Sequence, residues 1–271
     1  MNKTNHKMSK PAKEILNPVK NLWFSLAALL PVKKFKKYQW YKRDLATLKQ
    51  QKGGDKTFEF GRMFPILSER NDEGGIMKGH YFHQDLYVAR LVHAANPVLH
   101  LDIGSRTDGF VAHVASFRQI ELVDIRPIKS SVKNISFKCA DLMQLPAELV
   151  DYCDSVSSLH VIEHFGLGRY GDPIDYFGHL KAIQNIAKII KPGGTFYFST
   201  PIGPQRIEFN AHRVFAVKYL LTILSDHFSI STFSYVNDAG DFFEDVPLTD
   251  EDIHRNYGCV YGCGIFVCIK K

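Results

Sequence analysis

The stretch from Val98 to Gly109, VLHLDIGSRTDG, constrains the fold more than any other part of the chain. A short apolar run ends on Asp102, a turn passes through Gly104, and Gly109 precedes the apolar-periodic stretch FVAHVASF. This pattern predicts a buried strand, a tight loop and a helix start, where free backbone N–H groups can face a ligand. The glycine spacing is G-x-x-x-x-G, and Arg106 stands where a dinucleotide-binding loop has its middle glycine.

Strand and helix patterns alternate around this loop. Helices are predicted at His80–Ala95, from about Gly109 to Phe117, from about Pro173 to Ile190, and at Phe215–Ser225. Strands are predicted at Val98–Ile103, Gln119–Asp124, Ile135–Cys139, Asp154–Leu159, Thr195–Thr200, Phe228–Val236 and Val260–Ile269. The motif KPGG at 191–194 marks a helix end directly before a strand. Such alternation predicts an α/β fold with a mostly parallel sheet.

The formal charge of +6 is unevenly distributed along the chain. Residues 1–56 contain 13 Lys and one Arg against three acidic residues, so they carry +11 and the remainder carries −5. This separation predicts a basic arm on a mildly acidic core, which argues against a nucleic-acid enzyme with a basic core face. We therefore expect no nucleic-acid partner, and the arm is the candidate for contact with an anionic surface.

The arm, predicted to cover residues 1–79, contains one apolar run, LWFSLAALL at 22–30. This run is too short to span a bilayer, which needs about 20 apolar residues, and no small-x-small cleavage site follows it. Two alternatives stay open: a helix docked on the core, or an interfacial helix that binds an anionic membrane through residues 20–43. The irregular segment 55–79 could form a lid over a site or serve as a linker.

Five cysteines occur without a CxxC pair. An odd number with this spacing argues against a disulfide framework or a zinc site, and favours reduced thiols in a cytoplasmic protein. No other fixed metal spacing is visible. Glu163, Asp172 and Asp175 could supply oxygen ligands to Mg²⁺, but we expect no metal site.

Acidic and polar side chains follow several predicted strands. Asp124 ends the second strand, 20 residues after Gly104, which suits a carboxylate that accepts hydrogen bonds from a ribose. Asp141 follows the third strand and could accept an adenine amino hydrogen. The densest polar group follows the fourth strand and includes His160, Glu163 and His164, each of which could equally be a structural residue.

Several motifs together resemble the class I S-adenosylmethionine-dependent methyltransferases. They are LDIGS, the acid that ends strand two, AD after strand three, and KPGG before strand five, and the resemblance covers roughly Tyr81 to Lys271. More narrowly, GHYFHQDLYVA, LDIGSRTDGFVAH, VDIRP, LHVIEHFGLGRYGDPID, STPIG and FNAHRVF are similar to domain-of-unknown-function family 268. Members of that family occur in bacterial surface-polysaccharide gene clusters.

The resemblance implies a Rossmann-like class I methyltransferase fold, with a seven-stranded, mostly parallel sheet in residues 80–271 and a helical, basic N-terminal extension. It implies an S-adenosyl-L-methionine-dependent O-methyltransferase that acts on a sugar or surface-glycan intermediate, which could be lipid-linked at the inner face of the membrane. The alternative is a non-catalytic binding or scaffolding protein on the same fold. The oligomeric state does not follow from the sequence.

The site residues that this function implies fall into three groups. For the cofactor they are Asp102, Gly104, Ser105, Arg106, Gly109, Asp124, Asp141 and His160. For catalysis they are His164 as the first choice of base, then Glu163, His160 and His212. For the acceptor they are Arg169, Tyr170, Asp172, Asn210, Arg213, Tyr81 and His83, the last two closing over the ligand from the helix before strand one. Arg106 departs from the superfamily pattern and could engage the methionine carboxylate or an anionic acceptor.

Overall fold

The computed structural model describes residues 38–271, and the chain divides after Gly75 into two compact units. The apolar run at 22–30 and most of the segment 20–43 lie outside the described residues, so the membrane-binding arm stays a prediction. The domain boundary expected at residue 79 also stays a prediction. Within residues 38–271 no helix combines the length and apolar character needed to cross a bilayer.

The first unit contains helix α1, which covers residues 38–52 of the described part, and an irregular segment that runs to residue 75. Several side-chain contacts join this segment to the helix, among them Lys52 with Glu59 and Lys49 with the ring of Phe60. The Arg70 guanidinium lies 4.5 Å from the ring centre of Trp40, and its Nη1 lies 2.9 Å from Oδ2 of Asp44. The segment therefore has an attachment within its own unit.

The second unit is an α/β domain. Its helices are α2 (His80–Ala95), α3 (Ala112–Ala115), α4 (Gly178–Ile189), α5 (Val217–Ser225) and α6 (Asp250–His254). Its strands are β1 (His100–Ile103), β2 (Ile120–Asp124), β3 (Ile135–Cys139), β4 (Cys153–Leu159), β5 (Ile190–Ile202), β6 (Arg206–Glu208), β7 (His212–Val214), β8 (Phe228–Val236), β9 (Phe242–Phe243) and β10 (Gly262–Lys270).

The main sheet has the order β3-β2-β1-β4-β5-β10-β8-β9. Strands β1 to β5 pair in parallel, whereas β10 lies antiparallel between β5 and β8. The chain adds β2 and β3 on one side of β1 and then crosses to β4 on the other side, which makes a topological switch point between β1 and β4. The predicted Rossmann-like α/β fold with a mostly parallel sheet is confirmed.

The strand count differs from the expected seven. The two-residue strand β9 pairs with β8 and extends the main sheet to eight strands, and β6 and β7 form a separate antiparallel hairpin. Strand β5 also begins at Ile190 rather than Thr195, because Cys153 pairs with Ile190 while Ser155 pairs with Thr195. The KPGG segment at 191–194 therefore bulges out within the strand instead of separating it from helix α4.

The core lies on both faces of the sheet. Helices α2 and α3 cover one face with residues such as Val88 and Val114, and helices α4 and α5 cover the other with residues such as Ile186 and Leu220. The side chains of a strand alternate between the two faces, as Phe196 and Tyr197 of β5 do. This burial on both sides fixes the sheet as the rigid base of the domain.

A polar network interrupts the face beneath α2 and α3. His100 is fully buried, with Nδ1 2.7 Å from Oγ of Ser155 and Nε2 3.1 Å from Oγ of Ser157. Burial lowers the pKa of His100 to about 3. Asp102 lies two residues further along β1, and burial raises the pKa of its carboxyl to about 6.

We expect the variant His100→Asn to reduce the acid sensitivity of folding. Below the ordinary histidine pKa of 6.5 the unfolded chain binds a proton at residue 100 that the folded protein excludes, so stability falls as the pH drops. This single group contributes a slope of up to about 1.4 kcal/mol per pH unit, which the variant should lose. The measurement is the free energy of unfolding in urea between about pH 7 and about pH 4.

The control variant is His93→Asn, which replaces an exposed histidine of helix α2 and leaves the hydrogen bonds of His100 in place. The raised pKa of Asp102 has the opposite effect on stability. Between about pH 4 and about pH 6 the folded carboxyl holds a proton that the unfolded one releases, so stability rises as the pH drops. The wild type and His100→Asn both retain Asp102. Subtracting their profiles of unfolding free energy against pH therefore isolates the contribution of His100. Identical slopes for the wild type and His100→Asn would contradict the assignment.

Candidate active site

The candidate site lies at the carboxyl ends of the first four strands, beside the switch point. Gly104 follows β1, Asp124 ends β2, Asp141 follows β3 and His160 follows β4, and all four line one cavity. Parallel strands place their carboxyl ends along the same edge of a sheet, and ligands of open α/β sheets bind there. The structure thus brings together the residues that the sequence predicts for a nucleoside.

The loop after β1 is built around the buried carboxylate of Asp102. It accepts hydrogen bonds from the backbone N–H of Ser105 at 3.0 Å and from the hydroxyls of Ser105 and Ser157, each at 2.6 Å. Ser105 Oγ also accepts from the N–H of Leu159 at 3.1 Å. Asp102 and Ser105 therefore join the loop to β4, and Gly104 between them lines the cavity with a positive φ of 65°.

Close packing requires glycine at both ends of the loop. A Cβ on Gly104 would lie 2.8 Å from Cγ1 of Val161, and a Cβ on Gly109 would lie 2.1 Å from Oδ2 of Asp85. Asp85 is buried on helix α2, and burial raises the pKa of its carboxyl. Gly109 has non-helical angles, so α3 begins at Ala112 rather than at Gly109 as the sequence predicts.

The cavity is an apolar slot at the carboxyl edge of the sheet. Its apolar walls are Ile103, Val123, Ile125, Ala140, Leu142, Val161 and Phe165. Two carboxylates line it: Asp124 on one strand end and Asp141 on the next. Oδ1 of Asp141 accepts from the N–H of Met143 at 2.9 Å, which leaves its second oxygen available.

Arg126 is a residue of the slot that sequence reasoning missed. Its Nε and Nη2 donate to the two oxygens of Asp124, at 3.0 and 2.8 Å, and its guanidinium lies 4.2 Å from the ring centre of Tyr170. The pair orients the Asp124 carboxylate at the end of β2. The available signal was the spacing in VDIRP, which places an arginine two residues after the acid.

A larger, solvent-open cleft adjoins the slot and has about 1650 Å³ of empty volume. His160, His164 and Tyr170 line both spaces. The cleft also includes Tyr81, Arg169 and His212, which are among the residues predicted for catalysis or the acceptor. Tyr261 completes it and was missed, because it lies far along the chain just before β10, with its ring 5.1 Å from that of His212.

His164 has the arrangement of a neutral base. Its Nδ1 lies 2.6 Å from the carbonyl oxygen of Ala211, which can only accept, so Nδ1 carries the proton and Nε2 has the lone pair. Burial lowers the pKa of His164, which favours this neutral form at neutral pH. Nε2 lies 3.9 Å from Oε1 of Glu163, so a positive charge formed on the ring would have a carboxylate nearby.

Glu163 and His160 form a buried pair. Oε1 of Glu163 lies 2.8 Å from Nδ1 of His160, and the hydroxyl of Thr200 donates to Oε2 at 3.3 Å. Burial disfavours charge on both groups, yet their attraction holds the pKa of Glu163 below its ordinary value. Cys263 and Glu163 together hold the pKa of His160 well above its ordinary value. Glu163 thus orients both histidines rather than standing free as a base.

Arg106 lines the cleft and not the slot. Its Nε and Nη2 donate to Asp108 at 3.0 and 2.8 Å, and its guanidinium lies 4.7 Å from the ring centre of Tyr81. The side chain is half exposed. The side chain of Arg106 therefore does not line the slot, and it contributes positive charge to the rim of the cleft.

The structure corrects two predicted acceptor-binding residues by giving their polar groups structural partners. Arg213 is 4% exposed, and its guanidinium donates to the carbonyls of Phe165 at 2.6 Å and Tyr176 at 3.1 Å. Asp172 accepts from the N–H groups of Gly166, Gly168 and Tyr170. Both residues shape the loop after β4: the guanidinium of Arg213 is not free for an acceptor, and Asp172 lines the slot rather than the cleft.

Two further predicted acceptor residues lie outside the cleft. His83 stacks on Phe242 with ring centres 5.4 Å apart, because the turn of helix α2 carries it away from Tyr81. Asn210 is exposed in the turn between β6 and β7 and lines neither the slot nor the cleft. Only Tyr81 of the first helical turn faces the cleft as expected.

The acids considered for a metal ion do not converge. Asp175 pairs with Lys181 at 2.5 Å and Asp172 serves the loop, while Glu163 is held by His160. Within residues 38–271, the group of side chains that could hold a metal ion is instead His80, His160 and Cys263, whose ligand atoms lie within 4.8 Å of one another.

A comparison with known families identifies the family to which the chain belongs. The family model described as "Caenorhabditis protein of unknown function, DUF268" matches residues 91–262. The chain belongs to the DUF268 family. The family assignment made from the sequence motifs is confirmed, whereas nothing ties this DUF268 chain to bacterial surface-polysaccharide clusters. Among curated proteins, no match is found.

Solved structures similar to this DUF268 chain include methyltransferases and a cyclase. The [4+2]-cyclase SpnF has 16% identity and a TM-score of 0.49, covering 72% of this chain and 88% of that chain. The 1,6-didemethyltoxoflavin-N1-methyltransferase of Burkholderia thailandensis, with bound S-adenosylhomocysteine, has 16% identity and a TM-score of 0.49, covering 69% and 78%. The N-methyltransferase NodS of Bradyrhizobium japonicum WM9, also with S-adenosylhomocysteine, has 14% identity and a TM-score of 0.47, covering 71% and 88%. At these identities and TM-scores the comparisons do not identify the reaction, which is inferred from the geometry of the site.

Proposed function

We propose that this DUF268 protein is an S-adenosyl-L-methionine-dependent O-methyltransferase whose acceptor is a sugar or glycan intermediate. One observation carries the proposal: an apolar slot with two carboxylates opens into a polar cleft, and a neutral histidine base lies where they meet. The slot suits a nucleoside, the cleft suits a hydroxylated acceptor, and the shared residues lie between them.

The slot offers one group for each polar part of a nucleoside. Asp124, ending β2, would accept hydrogen bonds from the ribose hydroxyls, and the second oxygen of Asp141 would accept from the adenine amino group. Apolar walls from Val123 and Leu142 would cover the faces of the base. The bend at Gly104 brings backbone to the cavity where a side chain would fill it.

The cofactor would supply an electrophilic methyl group that passes to the acceptor oxygen while its sulfur keeps the electrons of the broken C–S bond. His164 Nε2 would take the acceptor's proton as the new O–C bond forms. The Ala211 carbonyl holds the Nδ1 proton throughout, and Glu163 at 3.9 Å favours the imidazolium that results. His212, with Nε2 3.1 Å from Glu208 and its ring centre 6.5 Å from that of His164, would position the acceptor beside the base.

The lining of the cleft supports a sugar acceptor. The rings of Tyr81, Tyr170 and Tyr261 present apolar faces together with hydroxyl groups, and Arg169 adds a cation. A sugar ring has the same combination of apolar faces and hydroxyl edges, so it can stack on tyrosine while its hydroxyls bind polar groups.

We expect Asp124→Asn to weaken binding of S-adenosylhomocysteine about tenfold or more, because a hydrogen bond to a charged group contributes about 1.5–3 kcal/mol. Titration calorimetry measures the affinity. The matched control is Glu121→Gln on the same strand, whose carboxylate pairs with Lys138 outside the slot. An equal loss in both variants would indicate a general effect of disturbing β2 and would remove Asp124 from the ribose site.

We expect His164→Gln to lower the turnover number by about 10²- to 10⁴-fold with little change in cofactor affinity. Because the base must be neutral and its pKa is lowered, wild-type activity should rise from acidic pH with a midpoint below 6.5. Transfer of labelled methyl groups to glycan precursors, followed by mass spectrometry, gives the rates. A protein that binds the cofactor without any transfer would be the binding or scaffolding alternative.

We also propose that the basic arm brings the protein to anionic membranes that carry lipid-linked acceptors. The proposal rests on the net charge of +11 in residues 1–56 and the apolar run at 22–30. Replacing Lys33, Lys34, Lys36 and Lys37 by Gln should reduce sedimentation with phosphatidylserine vesicles and leave neutral vesicles unaffected. Unchanged sedimentation with anionic vesicles would contradict this role.

A further inference from the structure

We propose that His80, His160 and Cys263 bind one zinc ion, which joins helix α2 to the sheet below the cleft. The cysteine spacing argued against a zinc site, because the three ligands are far apart along the chain and form no local motif. His80 is the first residue of α2, His160 follows β4 directly, and Cys263 lies in β10. The fold brings their ligand atoms within 4.8 Å of one another.

His160 provides the second observation that points to a ligand. Its side chain is 4% exposed, and Nε2 has no hydrogen-bond partner in the part of the chain that the structure describes. Nδ1 is fixed by Oε1 of Glu163 at 2.8 Å. Metal-binding histidines have this arrangement, in which a carboxylate holds one ring nitrogen and the other faces the metal.

The local backbone also directs His160 toward this point. His160 has a positive φ of 55°, which is uncommon for a non-glycine residue and costs free energy. Its ring stacks on that of His80, with centres 5.2 Å apart and planes 4° from parallel. The ring of His80 also lies against that of Tyr261, with ring centres 5.5 Å apart.

The donor set favours zinc. Two imidazole nitrogens and one thiolate suit Zn²⁺, whereas Ca²⁺ and Mg²⁺ require oxygen ligands. Tetrahedral zinc at ordinary bond lengths separates its donors by about 3.3–3.8 Å, so the three side chains need to close by at most about 1.5 Å. The buried amide oxygen of Gln84 lies 3.6 Å from Sγ of Cys263 and accepts from Ser199, so it borders the site.

The zinc ion would fix the start of helix α2 against the sheet. Tyr81, next to His80, lies with its ring centre 5.2 Å from that of His160 and beneath the guanidinium of Arg106. Holding His80 therefore holds this wall of the cleft. The inference does not depend on methyl transfer, and zinc content and affinity test it separately.

The experiment titrates the metal-stripped full chain with ZnCl2 alone and with CoCl2 as a spectroscopic probe. One equivalent of zinc should bind and raise the melting temperature, and cobalt should give thiolate-to-cobalt charge transfer with tetrahedral d–d bands. Cys263→Ala and His80→Ala should each weaken zinc binding at least about a hundredfold. Glu163→Gln should weaken it about 10- to 100-fold, as loss of a partner of a ligating histidine does.

Two matched variants serve as controls. Cys268→Ala changes another buried cysteine of β10, and His83→Ala changes a histidine in the same helical turn as His80; both should retain zinc binding. If Cys263→Ala does not fold, His80→Ala decides, since the partly exposed His80 begins the helix. The proposal is overturned if the full chain binds no zinc at micromolar concentration, or if its zinc survives both His80→Ala and Cys263→Ala.

Discussion

The buried carboxylate of Asp102 is the interaction on which the rest of the site depends. It has no cationic partner among the hydrogen bonds and ion pairs of residues 38–271, and three donors from Ser105 and Ser157 satisfy it instead. These bonds fix the loop after β1 against β4, so that Gly104 and the residues after β4 border the same cavity. Because an unsatisfied buried carboxylate is costly, the loop has little freedom to adopt another path.

Glu163 plays a comparable part for the histidines after β4. It binds His160 directly and lies near His164, while Ala211 fixes the tautomer of His164 from the other side. One buried acid thereby serves two functions: it supports a base at the junction of slot and cleft, and it orients His160 toward Cys263. The proposed methyl transfer and the proposed zinc site share this acid but need different nitrogens on different rings.

The strand and helix patterns predicted the order of the fold, because apolar periodicity and glycine-marked ends are local signals. Asp124 and Asp141 were predicted for the same reason, since a residue at the end of a parallel strand has a known place. Residues from distant segments were not predicted: Tyr261 and Cys263 reach the site only through the antiparallel insertion of β10. Arg213 was wrongly assigned to the acceptor, because its partners are backbone carbonyls that the sequence does not reveal.

The central claim is that the slot beside Gly104 and Asp124 holds the nucleoside part of S-adenosyl-L-methionine. Hydrogen–deuterium exchange of the full chain, with and without millimolar S-adenosylhomocysteine, tests this claim most directly. The account requires slower exchange at 104–109, 124–126 and 140–143, and unchanged exchange in the far strand β8. Absence of binding, or protection confined to segments outside the slot, would contradict it.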